Sequence, residues 1–550
     1  MTDVTATRTI TTGVLALMLP LLASGACPEG PSFDSAAVRS HIRFLADDLL
    51  EGRATGTRGY DIAAAYVASW FEGLGLEPAG TDGTFFQPFD TVEESLVPGS
   101  ARVTVLGGDG EVSLESPADY LMSGSYVDRE NRVTAPVVFV GFGVSAPEMD
   151  YDDLAGLDLR GKIVLLFSGA PASFPHDVRA YHSSGRVKYE TLAKRGVVGV
   201  IAVSTREMAR RYTWEDTVRG YGFHGMRWIG ADGTVQGVYP GLEVGLSLSP
   251  AGLGKLLAGT DVRQDELYET AESGAPGSRP LGREIRVERQ SSQTERTTSN
   301  VAAILPGDDP VRRHEYVAIT AHLDHIGVGP AKDGDTIYNG AYDNAAGVAV
   351  MLEVARALAR DGRRPARSIL FLAVSGEEQG LLGSDYFADF PTVPIDRIVA
   401  NVNLDMPLFL YPMADVVAFG SEHSSLEGDV SRAAARAGLE LSPDPLPEEV
   451  LFVRSDQYSF VRKGIPAVFF VPGFRSTDPA IDAGKIFTGF LQTHYHKPSD
   501  DLSLPFLKES AEAFTLANYW LVRSIADEPE RPTWNAGDYF GERFGPAAGG

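Results

Sequence analysis

The stretch YVAITAHLDHIGVGPAKDGDTIYNGAYDNAAG, Tyr316 to Gly347, sets the reading of the whole chain. It opens on an apolar, β-prone run from Tyr316 to Ala321 and then presents His322, Asp324 and His325. A loop rich in Gly and Asp follows, then Asp343-Asn344, Gly347 and an apolar pattern of helical period. A histidine just past a strand and a carboxylate at a helix start are suited to holding a metal ion.

The arrangement recurs downstream. The strand-like run Ser368 to Ser375 ends in Gly376-Glu377-Glu378, and Ile398 to Leu404 ends in Asp405. A last polar segment carries His494-Tyr495-His496 and Asp500. Open α/β sheets collect their ligands at the carboxyl ends of strands. Asp343 and the segments ending in His322, Glu377-Glu378 and Asp405 are therefore predicted to converge on one crevice, with a loop delivering His496.

Two histidines (His322, His496) and three carboxylates (Asp343, Glu378, Asp405) suit zinc, with manganese or cobalt also compatible. Five groups are too many for one open catalytic site. They fit two metals, roughly 3.5–4 Å apart, that share a carboxylate. Asp343 is the natural bridge, since it lies between the strand segments and begins a helix. Glu377 adjoins a proposed ligand without being needed as one, which suits a general base taking a proton from water at the metals. Tyr495 is placed to donate to an oxyanion, and Asp324 to orient the His322 imidazole. His325 and His494 are assigned to solvent or to support of the ligands.

A chain of 550 residues points to two folded domains plus processing segments. Hydrophobic content of 43% and charged content of 22% are ordinary for globular protein. A formal net charge of -26 offers no basic face for phosphate, which argues against a nucleic-acid partner. The single cysteine, Cys27, excludes an intramolecular disulfide and leaves metal binding to His and carboxylate. Residues 1–26 read as a signal peptide: Arg8 precedes an apolar core from Gly13 to Ala23, and Ser24-Gly25-Ala26 follow. Cys27 directly after these small residues resembles a lipoprotein cleavage site, although Ser24 stands where a large apolar residue is usual. Export with a lipid at Cys27 and plain secretion or periplasmic release both stay open.

Residues 31–50 show helical spacing, Glu51 to Gly59 a loop, and Tyr60 to Leu74 a strong amphipathic helix. From about Val97 to Val287 the pattern turns to short β runs with turns, such as Ala135–Phe142, Lys162–Phe167 and Gly196–Val203. This block shows no ligand cluster, and its His176, His182 and His224 read as surface or loop histidines. The α/β pattern resumes at Asn300, and Leu507 to Ile525 closes it as a helix. The expected organisation is a discontinuous catalytic domain (31–95 and 288–528), an insertion (96–287) and a tail (529–550) that is partly ordered at best. The expected fold class from the pattern is α/β with a β-rich block within it.

Several segments carry a resemblance. Ala321-His322-Leu323-Asp324, Tyr342-Asp343-Asn344-Ala345-Ala346-Gly347, Ser375-Gly376-Glu377-Glu378, Asn403-Leu404-Asp405-Met406 and Tyr495-His496-Lys497-Pro498-Ser499-Asp500 resemble the dinuclear zinc aminopeptidases. That family also contains glutamate carboxypeptidase and transferrin-receptor relatives. The resemblance implies one zinc on His322, Asp343 and Asp405, the other on Asp343, Glu378 and His496, Glu377 as base, a cis Asp343–Asn344 bond, and a mixed β-sheet flanked by helices with an inserted β-rich domain. Leu50-Glu51-Gly52-Arg53 is similar to the family's N-terminal segment, and Arg454 to Phe460 to the motif before its penultimate strand, where many members have His in place of Gln457. The block with Val138 to Gly143, Asp152 to Gly156 and Arg160 to Val164 resembles a protease-associated domain. The implied activity is an exported exopeptidase acting on peptides, first an aminopeptidase. A carboxypeptidase of the same family, with Arg454 or Arg475 binding a C-terminal carboxylate, and a non-catalytic binding protein on this scaffold are the alternatives.

Overall fold

The computed structural model describes residues 1–2, 30–108, 110–221 and 225–546. Cys27, nearly all of the predicted signal peptide and His224 lie outside the described residues. Among the described residues no helix is long and apolar enough to cross a membrane.

The strands that build the site are β1 (Phe86–Leu96), β2 (Ser278–Leu305), β3 (Tyr316–His322), β4 (Ser368–Val374), β5 (Ile398–Leu404) and β6 (Ala467–Pro472). They pair in the order β1-β2-β4-β3-β5-β6. β2 runs antiparallel to β1 and β4, while β4, β3, β5 and β6 are mutually parallel. The sheet is thus mixed, as the resemblance implies.

β3, β4 and β5 are apolar on successive residues because both of their faces are covered. Val317, Ile319 and Ala321 pack with Ile369, Phe371 and Ala373 on one face; Ala318, Leu370, Leu372 and Val374 point to the other. The first face receives helices α1 (Ser35–Leu45), α2 (Arg58–Gly73), α3 (Ala346–Arg360) and, last in the chain, Lys508–Asp527. The second receives the helix Leu382–Asp389 through Phe387, together with Phe460 and Ile465.

β2 is 28 residues long and crosses the predicted boundary at 287/288. Its first part pairs with Arg102–Leu106 on one side and residues 130–136 on the other, in a second sheet. That sheet continues through parallel strands Ile163–Phe167, Gly199–Val203 and Val244–Leu248. It has its own core, built from Val103, Val137, Phe139, Leu165, Phe167 and Ile201 among others. The insertion is less purely β than its sequence suggests, because helices such as His176–Ser183, Gly185–Lys194 and Gln264–Ser273 pack on it. It also returns a strand, Met226–Trp228, to the edge of the first sheet against Thr91–Glu93 of β1.

The tail departs from expectation. Residues 529–546 hold a helix, Tyr539–Phe544, whose Phe540 is fully buried. Trp534 Nε1 donates to the Gly464 carbonyl at 2.8 Å. Aromatic side chains that find rings elsewhere in the fold order a segment that lacks a periodic pattern of its own.

Candidate metal centre

The parallel strands β3, β4 and β5 end at one edge of the sheet. His322 is the last residue of β3, Asp405 directly follows β5, and Glu377-Glu378 lie three and four residues past Val374 of β4. Asp343 comes from the turn Ala341–Ala345 that leads into α3, and His496 from the loop after the helix Ala483–Thr493. The Asp343–Asn344 bond is cis.

All five predicted ligand positions meet there. His322 Nε2 lies 3.3 Å from Asp343 Oδ1 and 3.2 Å from Asp405 Oδ1. His496 Nε2 lies 3.3 Å from Asp343 Oδ2 and 3.0 Å from Glu378 Oε2. Asp343 therefore turns one oxygen to each histidine and separates two donor groups. His325 joins them: it is buried, and its Nδ1 stands 2.7 Å from Glu378 Oε1 and 3.9 Å from Asp343 Oδ2. Sequence reading assigns this histidine to solvent or to support of the ligands, and its contact with Glu378 is the second of these.

The ligand positions are held from behind. Asp500 accepts from the backbone N–H of Tyr342 at 2.9 Å and of Asp343 at 3.0 Å. Asn344 donates to the Leu404 carbonyl at 2.8 Å and accepts from Met406 N at 3.2 Å, which joins the Asp343 turn to the Asp405 loop. Ser455 donates to Asp405 Oδ2 at 2.7 Å. Gln457 accepts from Asn403, which also donates to Ser455, so the residue standing at a common histidine position braces this loop. Arg53 is buried and gives its guanidinium to the carbonyls of Leu45, Leu323, Asn339 and Gly340. It ties the N-terminal loop to both sides of the crevice; burial pulls its pKa down to about 10 against the pull of Asp324 and Asp500.

Asp324 takes a different part from the one expected. Its carboxylate is 4.0 Å from His322 Nδ1 and accepts instead from Glu377 N at 3.2 Å, Glu378 N at 3.4 Å and Thr55 Oγ1 at 3.2 Å. The His322 ring faces the Asp324 backbone carbonyl, 3.2 Å from Nδ1. Asp324 thus shapes the Glu377-Glu378 turn. Tyr495 stacks on His496, ring centroids 3.8 Å apart, and burial raises its hydroxyl well above the usual range. His494 caps its own loop through Ser499, 3.0 Å away.

The charge balance fits dications. Asp324, Asp343, Glu377, Glu378, Asp405 and Asp500 crowd one crevice against three histidines and Arg53. Burial, with the repulsion of Asp405 and Glu378, pushes the Glu377 carboxyl well up against the pull of His322. Burial raises Glu378 too, but His496 and His325 outweigh it and hold it at about 2. Burial lifts Asp500 to about 6. Among the described residues Asp343 Oδ2, His325 Nε2 and His496 Nε2 are buried and meet no partner in well-aligned hydrogen-bond geometry. Imidazole nitrogens and carboxylate oxygens left bare about 3 Å apart suit borderline dications such as zinc. Next to Glu378, Tyr495 and His496 opens a cavity of about 1030 Å³, walled on the far side by Arg227 and Tyr126 of the insertion.

A sequence model of peptidase family M28 matches residues 300–518, the segment that holds every one of these donors. This segment is similar to peptidase family M28. Over 138 residues the chain is 35% identical to aminopeptidase NAALADL1 of Mus musculus, covering 24% of this chain and 17% of that protein. Over 240 residues it is 28% identical to aminopeptidase YwaD of Bacillus subtilis, covering 42% of this chain and 46% of that one. The matches thus span less than half the length of these curated relatives. The fold is shared with the solved aminopeptidase from Aneurinibacillus sp. strain AM-1, with TM-score 0.53 and 21% identity over 90% of this chain and 95% of that one. The M28 segment supplies the sheet edge, and the insertion supplies a wall of the cavity beside it.

Proposed function

We propose that the chain is an exported, two-zinc aminopeptidase that releases residues from the N-termini of peptides. The observation that carries this reading is Asp343, one oxygen 3.3 Å from His322 Nε2 and the other 3.3 Å from His496 Nε2. His322, Asp343 and Asp405 form one donor set; Asp343, Glu378 and His496 form the other, with His325 beside it. Zinc bound by these sets supplies a Lewis acid that polarises the scissile carbonyl and acidifies water. Glu377 takes the proton of the attacking water and passes it to the departing amine. Asp324 fixes the turn from which Glu377 reaches that proton. Tyr495, at the cavity wall, donates to the oxyanion.

The end that is cleaved is read from two supports. The relatives named above are called aminopeptidases. The two arginines that the sequence offers for a C-terminal carboxylate are engaged elsewhere, Arg454 with Glu449 at 3.1 Å and Arg475 with Glu440. The insertion, which resembles a protease-associated domain, limits peptide size by walling the cavity. The deciding experiment is mass spectrometry of a mixed peptide pool incubated with zinc-loaded protein. Ladders shortened from the N-terminus are expected. Shortening from the C-terminus would overturn the choice of end, and intact peptides would overturn the exopeptidase reading.

A further inference from the structure

A second cluster of donors lies outside the M28 crevice, where the insertion, the catalytic sheet and the C-terminal segment meet. His423 ends the turn Ser421–His423 and is 3% exposed. Two rings fix its plane: Phe452 at 4.9 Å and Phe540 at 5.1 Å between centroids. Its Nδ1 stands 2.6 Å from Asp538 Oδ2, while the other Asp538 oxygen caps the last helix through Gly541 N at 2.8 Å. A carboxylate so close to Nδ1 fixes the ring and turns Nε2 to the opposite side, the arrangement that orients imidazole ligands in zinc sites.

Among the described residues the hydrogen bond of this ring is the one at Nδ1. Its Nε2 points between two carboxylates, Asp177 Oδ1 at 3.6 Å and Glu422 Oε1 at 3.9 Å. Both separations are long for a hydrogen bond. They are close to those of donors sharing one tetrahedral zinc, about 3.4 Å for bonds of about 2.1 Å. A second imidazole faces the same oxygen, His176 Nδ1 being 3.5 Å from Asp177 Oδ1. Behind it, His176 Nε2 and Asp444 Oδ2 are buried without hydrogen-bond partners, 3.8 Å apart.

We propose that His423 Nε2, Asp177 and His176 bind a divalent cation, zinc by donor type, with Glu422 completing the set and Asp538 orienting His423. Two nitrogens and two carboxylate oxygens have the composition of a structural site. The cation joins the helix His176–Ser183 of the insertion to the turn after the strand Asp415–Phe419. Through Asp538 it also fastens the tail. It thereby clips the wall of the cavity to the sheet that carries the crevice.

The test is zinc per chain, measured by inductively coupled plasma mass spectrometry on full-length protein dialysed at fixed free zinc. The wild type is compared with the double variant His176→Ala/Asp177→Asn, both of whose side chains are partly exposed. One equivalent fewer in the double variant, with its thermal transition still cooperative, is expected; equal counts overturn the site. Because the readout is a difference, it does not depend on how many metals the M28 crevice holds. An Asp343→Asn chain separates the two sites, since its losses leave the His423 equivalent in place. If the double variant fails to fold, anomalous diffraction from wild-type crystals at the zinc edge decides: a peak beside His423 Nε2 supports the site, and none overturns it.

Discussion

Asp500 binds neither metal in the proposed scheme, yet both of its oxygens are committed to the backbone that presents Asp343. Replacing it by Asn keeps one acceptor and turns the other toward an N–H it cannot accept from. We expect Asp500→Asn to fold and to hold metal roughly 10–100-fold more weakly, the usual cost of losing such support; a chelator competition series measures this, and unchanged affinity would refute the role. Glu377 gives the complementary case. Glu377→Gln keeps the Asp324 contacts, which run through backbone N–H groups, and removes only the basic oxygen. Turnover should fall by about 10²–10⁴-fold while zinc content stays at the wild-type level. At this scale the sequence is legible where a motif names a residue and its neighbours, as with His322, Glu377 and Asp405. It is illegible where partners come from distant segments. The Asp324 carboxylate meets Glu377 and Glu378, more than fifty positions away, because strand ends converge there. His325 faces Glu378 for the same reason.

At the scale of elements, the core strands could be read because burial on both faces leaves continuous apolar runs, and their observed limits fall within a residue or so of the runs themselves. The helices could be read from their apolar period but not at their ends: the reading opens α2 at Tyr60, whereas Thr57 caps it from Arg58 and accepts from Tyr60 N. The tail could not be read, since Trp534, Phe540 and Phe544 carry no period and depend on rings contributed by other segments. Nor could the continuity of β2, whose 28 residues serve two sheets and hide the boundary between them. The tail yields a sharp expectation. The Phe540 ring is fully buried against Phe452 and His423, centroids 5.1 Å from each. Phe540→Ala should cost about 3–5 kcal/mol where the tail docks. Hydrogen exchange should then quicken in residues 421–423 and 538–544, whereas an unchanged exchange pattern there would mean that the tail adds nothing to the turn bearing His423.

Across the whole molecule, the insertion carries a buried charge that links its stability to pH. Lys188 lies in the helix Gly185–Lys194 and is 3% exposed. Its ammonium donates to the carbonyls of Phe167 and Gly169 at the end of a core strand and sits 5.9 Å from the Phe142 ring centre. Burial pulls its pKa down from 10.5 to about 7, the opposing pull of Asp153 being smaller. In the unfolded chain the same group keeps its ordinary value. Between pH 7 and 10.5 the unfolded chain therefore binds more protons than the folded one, and stability from this group rises with pH across that window. Below the folded value both states are protonated, and the full cost of burying the charge is present. A Lys188→Met chain keeps the packing of the stem and loses the titration. The wild type should gain roughly 2 kcal/mol on Lys188→Met between about pH 7.5 and 9.5, read from denaturant unfolding of the two chains side by side. Parallel curves would show that the ammonium reaches water in the folded protein. A rising difference would place the pH sensitivity in the insertion, the part of the molecule that walls the cavity beside the metal centre.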